Sequence, residues 1–345
     1  MPTRRNPNAG TATDLHSAVA SGCALSTTEA LPGTAKQARL VLALEYFTNW
    51  GRDILDGEAL GKELAGKLKK FLKENGAALH FIRKPGREGQ ERQERAGRAL
   101  YIAWADCGGD ATAGSAAAGH APVLEYLDVA GPEDILDLDL SAPGANAQAR
   151  RITEPLLLVC THGKRDTCCA VFGRPLAEAL HREYPEVVWE ASHTKGHRFA
   201  PSMILLPTNY SYGRLTEDEG LAMIAAARRG ELALTGNRGR GTLDVPGQVA
   251  ELAAAGELQG SGKLVPWTGL DVSRPGEGRE KEKASAQRFV TDPVSGEAFH
   301  VQLVKDNVGV AISSCGDKPK QAVNWFAVSV ERTSSPPEGV KGGVR

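Results

Sequence analysis

Three of the six cysteines and three of the eight histidines fall in two neighbouring stretches, Cys160-Thr-His-Gly-Lys-Arg-Asp-Thr-Cys-Cys169 and His193-Thr-Lys-Gly-His197. Thiolates and imidazoles that converge from separate loops are the ligands of zinc and of iron–sulfur clusters. Cys160-x8-Cys169 and His193-x3-His197 supply two of each. The His-x3-His spacing puts both rings on one side of a helical turn or within reach across a tight loop, and Gly196 between them favours the loop. Either pair alone has an ordinary reading, because cysteine packs as a small apolar residue and a single histidine is usually structural. Two pairs flanking one β-α-β unit argue for a metal. Ligand types by themselves leave zinc and [2Fe-2S] as alternatives.

Position matters as much as spacing. The apolar run Leu156 to Val159 predicts a buried strand that ends by delivering Cys160 into a loop. Gly163, Lys164, Arg165 and Asp166 make that loop. Cys168 and Cys169 open a helix over 169–183 with Val171, Leu176, Ala179 and Leu180 on its apolar face. A second strand, 186–190, leads into His193 and His197. Strands at 202–206 and 210–215, a turn at Pro207-Thr-Asn209 and a helix at 217–228 follow. A β-α-β unit, a hairpin and a helix form the thioredoxin-like order.

The same motifs, Cys-Thr-His-Gly-Lys-Arg-Asp-x-Cys-Cys and His-Thr-Lys-Gly-His-Arg-Phe-Ala, resemble the sucrase/ferredoxin-like family. So do Leu31-Pro-Gly-Thr-Ala35, Trp50-Gly-Arg-Asp53 and Ile82-Arg-Lys-Pro-Gly-Arg87. The resemblance extends over roughly residues 23 to 330, with five separated motifs in order. It implies an α/β protein: a thioredoxin-like ferredoxin domain preceded by a smaller α/β half and followed by a short β-rich extension. It implies a [2Fe-2S] cluster held by Cys160, Cys169, His193 and His197. Around them His162, Arg165, Asp166, Cys168, Lys195 and Arg198 are expected as supporting residues, with Arg165 bonding to the cluster sulfides or pairing with Asp166. Lys195 departs from the family's usual His-x-Gly-Gly-His, and a cation there would raise the potential. Cys169 is preferred over Cys168 as second thiolate on the family spacing. Nothing supports the "sucrase" of the family name, since no paired carboxylates are framed as a glycosidase site.

The expected activity is electron transfer or redox sensing with an external reductase or acceptor, rather than an enzyme with its own substrate. Two alternatives stand beside it. One is a thiol–disulfide oxidoreductase using Cys160 with Cys168 or Cys169, although the Cys-x-x-Cys spacing of thioredoxins is absent. The other is a structural Cys2His2 zinc site.

Composition sets the frame. With 345 residues, 41% hydrophobic, the chain can bury at least one full core, and two domains are expected. A net charge of -1 argues against nucleic acid or anionic lipid as partner. No apolar run approaches the ~20 residues of a membrane span. The N-terminus has no apolar core of a secretory signal, and six irregular cysteines suit metal ligation in a reducing cytoplasm. The expected division is a disordered 1–22, an N-terminal α/β domain 23–141, the ferredoxin domain 152–230, a linker with a short helix 231–285, a β extension 286–332 and a tail 333–345. Cys23, Cys107 and Cys315 are expected to pack rather than ligate. Arg238 and Arg240, set between glycines, lack the aromatic interleaving of an RNA-binding segment.

Overall fold

The computed structural model describes residues 22–25, 29–86, 97–106, 121–273 and 284–333. Cys107, residues 1–21 and the charged run 279–283 lie outside the described residues. The described chain is α/β, with one large mixed sheet, few helices and a separate four-stranded β-rich sheet.

Its first half runs β1 (Leu40–Glu45), α1 (Lys62–Glu74), β2 (Ala77–Arg83), β3 (Arg98–Trp104) and β4 (Val123–Val129). The second runs β6 (Leu156–Cys160), α2 (Thr167–Glu183), β7 (Val188–Ala191), β8 (Ser202–Leu206), β9 (Tyr210–Gly213) and α3 (Glu217–Arg228). Between them, β5 (Arg150–Ile152) pairs with β4. β10 (Asn237–Arg240) pairs with β9, so Arg238 and Arg240 belong to an edge strand.

Both halves have the same strand order. β1 and β2 are parallel, β3 lies antiparallel on the other side of β1, and β4 follows it. β6 and β7 are parallel, with β8 antiparallel beyond β6 and β9 beyond that. The order β2-β1-β3-β4 is thus repeated as β7-β6-β8-β9, and antiparallel pairing of β2 with β7 joins the halves into one ten-stranded sheet. Each half is a β-α-β-β-β unit of thioredoxin-like order.

The period-2 geometry of strands explains the core. In β1, Leu40, Leu42 and Leu44 pack with Leu68 and Leu72 of α1, while Val41 and Ala43 face the opposite layer. In β6, Leu157 and Val159 pack against Leu176 and Leu180 of α2, while Leu156 and Leu158 join Val41, Trp189 and Ile204. Because both faces are covered, β6 reads as a continuous apolar run rather than an alternating one.

The C-terminal region adds α4 (Val245–Gly260) and a second sheet of β11 (Asp271–Val272), β12 (Ser285–Thr291), β13 (Ala298–Ala311) and β14 (Lys320–Thr333). α4 starts at the Asp244 cap, whose side chain accepts from Gly247 N, and at 16 residues is longer than the short helix expected in this segment. Ala250, Ala254 and Leu258 join the same core as Val290, Phe299 and Val301 of the second sheet. No helix of the described residues is long and apolar enough to cross a membrane.

Candidate metal centre

Cys160 is the last residue of β6 and pairs with Ala191, the last of β7, so the two loops carrying cysteines and histidines leave the sheet side by side. After Cys160 the chain turns tightly, with Arg165 N and Asp166 N both donating to His162 O at 3.1 Å. Asp166 then caps α2, its Oδ1 accepting from Cys168 N at 3.0 Å. The cap fixes where Cys168 and Cys169 project.

Sγ of Cys160, Sγ of Cys169 and a ring nitrogen of His193 lie within 4.8 Å of one another. His197 stands beside this trio, its ring stacked on His193 with centroids 4.9 Å apart. Nδ1 of His193 and both ring nitrogens of His197 are buried without a hydrogen-bond partner. The nearest acidic group to His197, Asp166 Oδ2, is 3.8 Å from Nε2, too far for a hydrogen bond. Two buried thiols with one imidazole nitrogen close by, and a second imidazole stacked beside it with both nitrogens unpartnered, are a donor set that a metal or cluster can satisfy, and these residues fit one. Their electrostatics agree. The Cys169 thiol donates to Cys160 and holds it well below the ordinary cysteine value despite the cost of burial, with His193 assisting. The same contact pushes Cys169 up.

Of the expected supporting residues, His162 bridges three loops. Its Nδ1 accepts from His193 N at 3.2 Å, which leaves Nε2 as the donor to Gly51 O at 2.8 Å. Arg198 pairs with Glu29, its Nη2 2.9 Å from Oε1, and lies over Phe199. The pairing of Arg165 with Asp166 is not formed. Asp166 Oδ2 instead accepts from Ser314 Oγ at 2.9 Å and Cys315 N at 2.8 Å, and Cys168 packs with Cys23 and Cys315.

Lys195 and Gly196 take successive left-handed conformations, φ 61° and 98°, which reverse the chain between the two histidines. The Lys195 side chain is exposed, and its carbonyl accepts from Arg238 Nη1 at 3.1 Å. Arg238 is 1% exposed and also donates to Ser202 Oγ at 2.9 Å and, through Nε, to Thr34 Oγ1 at 3.0 Å. A Cβ on Gly196 would sit 2.3 Å from that guanidinium. Gly196→Ala is therefore expected to combine backbone strain with a clash, costing roughly 1–3 kcal/mol and displacing both histidines. Equal metal content and an unchanged melting temperature in the variant would contradict this.

Sequence reasoning missed two residues. Arg238, to which the sequence gives no role, is a buried hub. His80, inside the apolar run of β2, carries no sequence signal, yet burial pushes its pKa down to about 4 and its strongest charged neighbour is Cys160. An unfolded histidine titrates near 6.5. Between pH 6.5 and 4 the unfolded chain binds this proton and the folded chain does not, so stability falls as pH drops, by about 1.4 kcal/mol per unit in the steepest part. His162 and His197, also held low chiefly by burial, act in the same direction. Urea unfolding of metal-free protein should show this slope between pH 7 and 5, and His80→Gln should flatten it.

The five motifs of the sequence meet here. Leu31–Ala35 supplies Thr34 to Arg238, and the Gly33 and Thr34 amides donate to Arg238 O at 2.9 and 3.2 Å. Trp50-Gly51 supplies the carbonyl for His162 and a ring under Arg83, which pairs with Glu190 at 2.8 Å. Residues 31–236, more than half the chain, match the sucrase/ferredoxin-like family, a span that contains all five motifs but is narrower than the expected 23 to 330 and excludes Cys23 and Cys315. No curated protein and no solved structure matches the chain. With the family's motifs converging on one buried cysteine–histidine centre, the chain belongs to the sucrase/ferredoxin-like family.

Proposed function

We propose that this protein is a soluble, cytoplasmic electron-transfer or redox-sensing protein carrying one [2Fe-2S] cluster on Cys160, Cys169, His193 and His197. The observation that carries the reading is the pair of stacked imidazoles with unpartnered nitrogens beside two buried thiols. When bound, such a cluster takes up and returns one electron at a potential of about -150 to +300 mV, higher than an all-cysteine cluster because neutral imidazoles replace two thiolates.

The chain's own residues do the rest. Cys160 and Cys169 lose the proton they share when a metal binds. His162 orients the His193 loop through its Nδ1 acceptor, and Arg238 holds the Lys195 turn. The exposed Lys195 side chain places a positive charge at the rim, which favours the reduced state and an acidic partner surface. In this reading residues 152–230 are the ferredoxin domain, 23–141 the N-terminal α/β domain, 231–285 a linker with a helix and 286–332 the β extension; the separate apolar clusters around α1 and around α2 support the first division.

Two features weigh against the alternatives. Cys160 and Cys169 are both 0% exposed, which denies a protein disulfide access. Those residues gather with only one histidine nitrogen inside 4.8 Å, whereas a tetrahedral zinc ion would draw all four ligand atoms within about 4 Å of one another. Anaerobic purification followed by iron, zinc and sulfide analysis tests the reading. About two iron and two sulfide per chain with red-brown colour are expected. A colourless protein with metal at Cys160 other than iron would refute it.

A further inference from the structure

Cys168 does not join the centre just described. It turns to the other side of the α2 N-terminus and meets Cys23 and Cys315, which come from opposite ends of the chain. The three Sγ atoms form a near-equilateral triangle: Cys23 to Cys168 3.8 Å, Cys168 to Cys315 3.4 Å, Cys315 to Cys23 3.7 Å. Asp166 Oδ1 caps that triangle, 3.6 Å from Cys23 Sγ and 3.2 Å from Cys315 Sγ. All four ligand atoms lie within 4.8 Å of one another.

These distances are close to the edges of a ligand shell around one tetrahedral ion. A tetrahedral zinc with Zn–S of about 2.3 Å and Zn–O of about 2.0 Å has S···S edges of about 3.8 Å and S···O edges of about 3.5 Å. The carboxylate is also prepared for ligation. Cys168 N donates to Oδ1, and Ser314 Oγ and Cys315 N donate to Oδ2, so its orientation is fixed before any ion arrives.

We propose that Cys23, Cys168, Cys315 and Asp166 form a second metal site, a closed structural zinc centre separate from the cluster ligands. Four protein ligands leave no open coordination position, which marks the site as structural rather than catalytic. On binding, the three thiols release their protons to solvent and become thiolates, and no electron changes hands.

The consequence is a staple. Cys23 precedes the Leu31–Ala35 motif, Cys168 starts α2, and Cys315 sits between β13 and β14. One ion would tie the N-terminal segment and the C-terminal sheet to the helix that carries the cluster ligand Cys169. Cys23 and Cys315 lie outside the span matched to the family, and Asp166 and Cys168 lie inside it.

The test is full-length protein expressed with iron and zinc both supplied, with the two metals quantified separately. About one zinc per chain is expected in addition to any iron, lost in Cys23→Ser and Cys315→Ser with visible absorption and iron retained, and kept in Cys160→Ser. Should the serine variants fail to fold, maleimide labelling of wild-type protein decides: Cys23, Cys168 and Cys315 should be protected until a chelator is added. Wild-type protein without zinc and with those thiols labelled at once overturns the proposal. So does loss of iron instead of zinc in Cys23→Ser or Cys315→Ser, which would place these cysteines in the iron-bearing centre.

Discussion

Gly173→Ala is expected to destabilise the protein by about 2 kcal/mol or more and to strip the centre of its metal. Gly173, the seventh residue of α2, lies where the helix crosses β6, and a Cβ there would fall 2.0 Å from the Cys160 carbonyl oxygen. The obstructing atom is backbone, so no rotamer change relieves it. Alanine has the better helix propensity by about 1 kcal/mol, but overpacking at a helix–strand contact costs up to about 3 kcal/mol, and separation of α2 from β6 moves Cys169 away from Cys160. Urea unfolding and metal analysis of the variant read both effects. Wild-type stability with full metal content would show that α2 and β6 do not pack as described.

His197→Cys is expected to retain a cluster while lowering its potential by on the order of 100 mV, because a thiolate adds negative charge where a neutral imidazole stood. His197 suits this exchange because its side chain is largely buried, its nitrogens have no other partner, and the loop that carries it is fixed independently by Arg238 and the Ser202 hydroxyl. The potential of the wild-type protein should also fall with rising pH, as a ligating imidazole gives up its distal proton, and the variant should show a weaker slope. Protein-film or dye-mediated titration gives both numbers. An unchanged potential would mean that His197 is not a ligand.

Much of the centre is legible in the sequence, for identifiable reasons. The run Leu156–Val159 is apolar on both faces because β6 is covered on both, so its end, and therefore the placement of Cys160, can be read directly. Thr216 and Glu219 form a capping box that marks the start of α3 where periodicity expects it. The repeat of strand order in the two halves is not legible, because the halves share topology but not residues, and only β6 ends in a cysteine.

Other failures come from long-range burial. Arg238 between glycines has no role in the sequence reading, and only the fold brings Thr34, Lys195 and Ser202 around it. Asp166 beside Arg165 suggests a local pair, yet capping α2 turns its carboxylate toward Cys315, 149 residues away. Cys23 and Cys315 each look like packing residues alone. Their meaning emerges only when the chain ends meet at Cys168, a juxtaposition that spacing cannot encode.

The most direct test of the account is the nitrogen hyperfine spectrum of the reduced, anaerobically purified protein. Couplings from two distinct ligating nitrogens are predicted, with one of them lost in His193→Cys and the other in His197→Cys. A reduced cluster with no directly coordinated nitrogen, as in an all-cysteine ferredoxin, would contradict histidine ligation and with it the central claim.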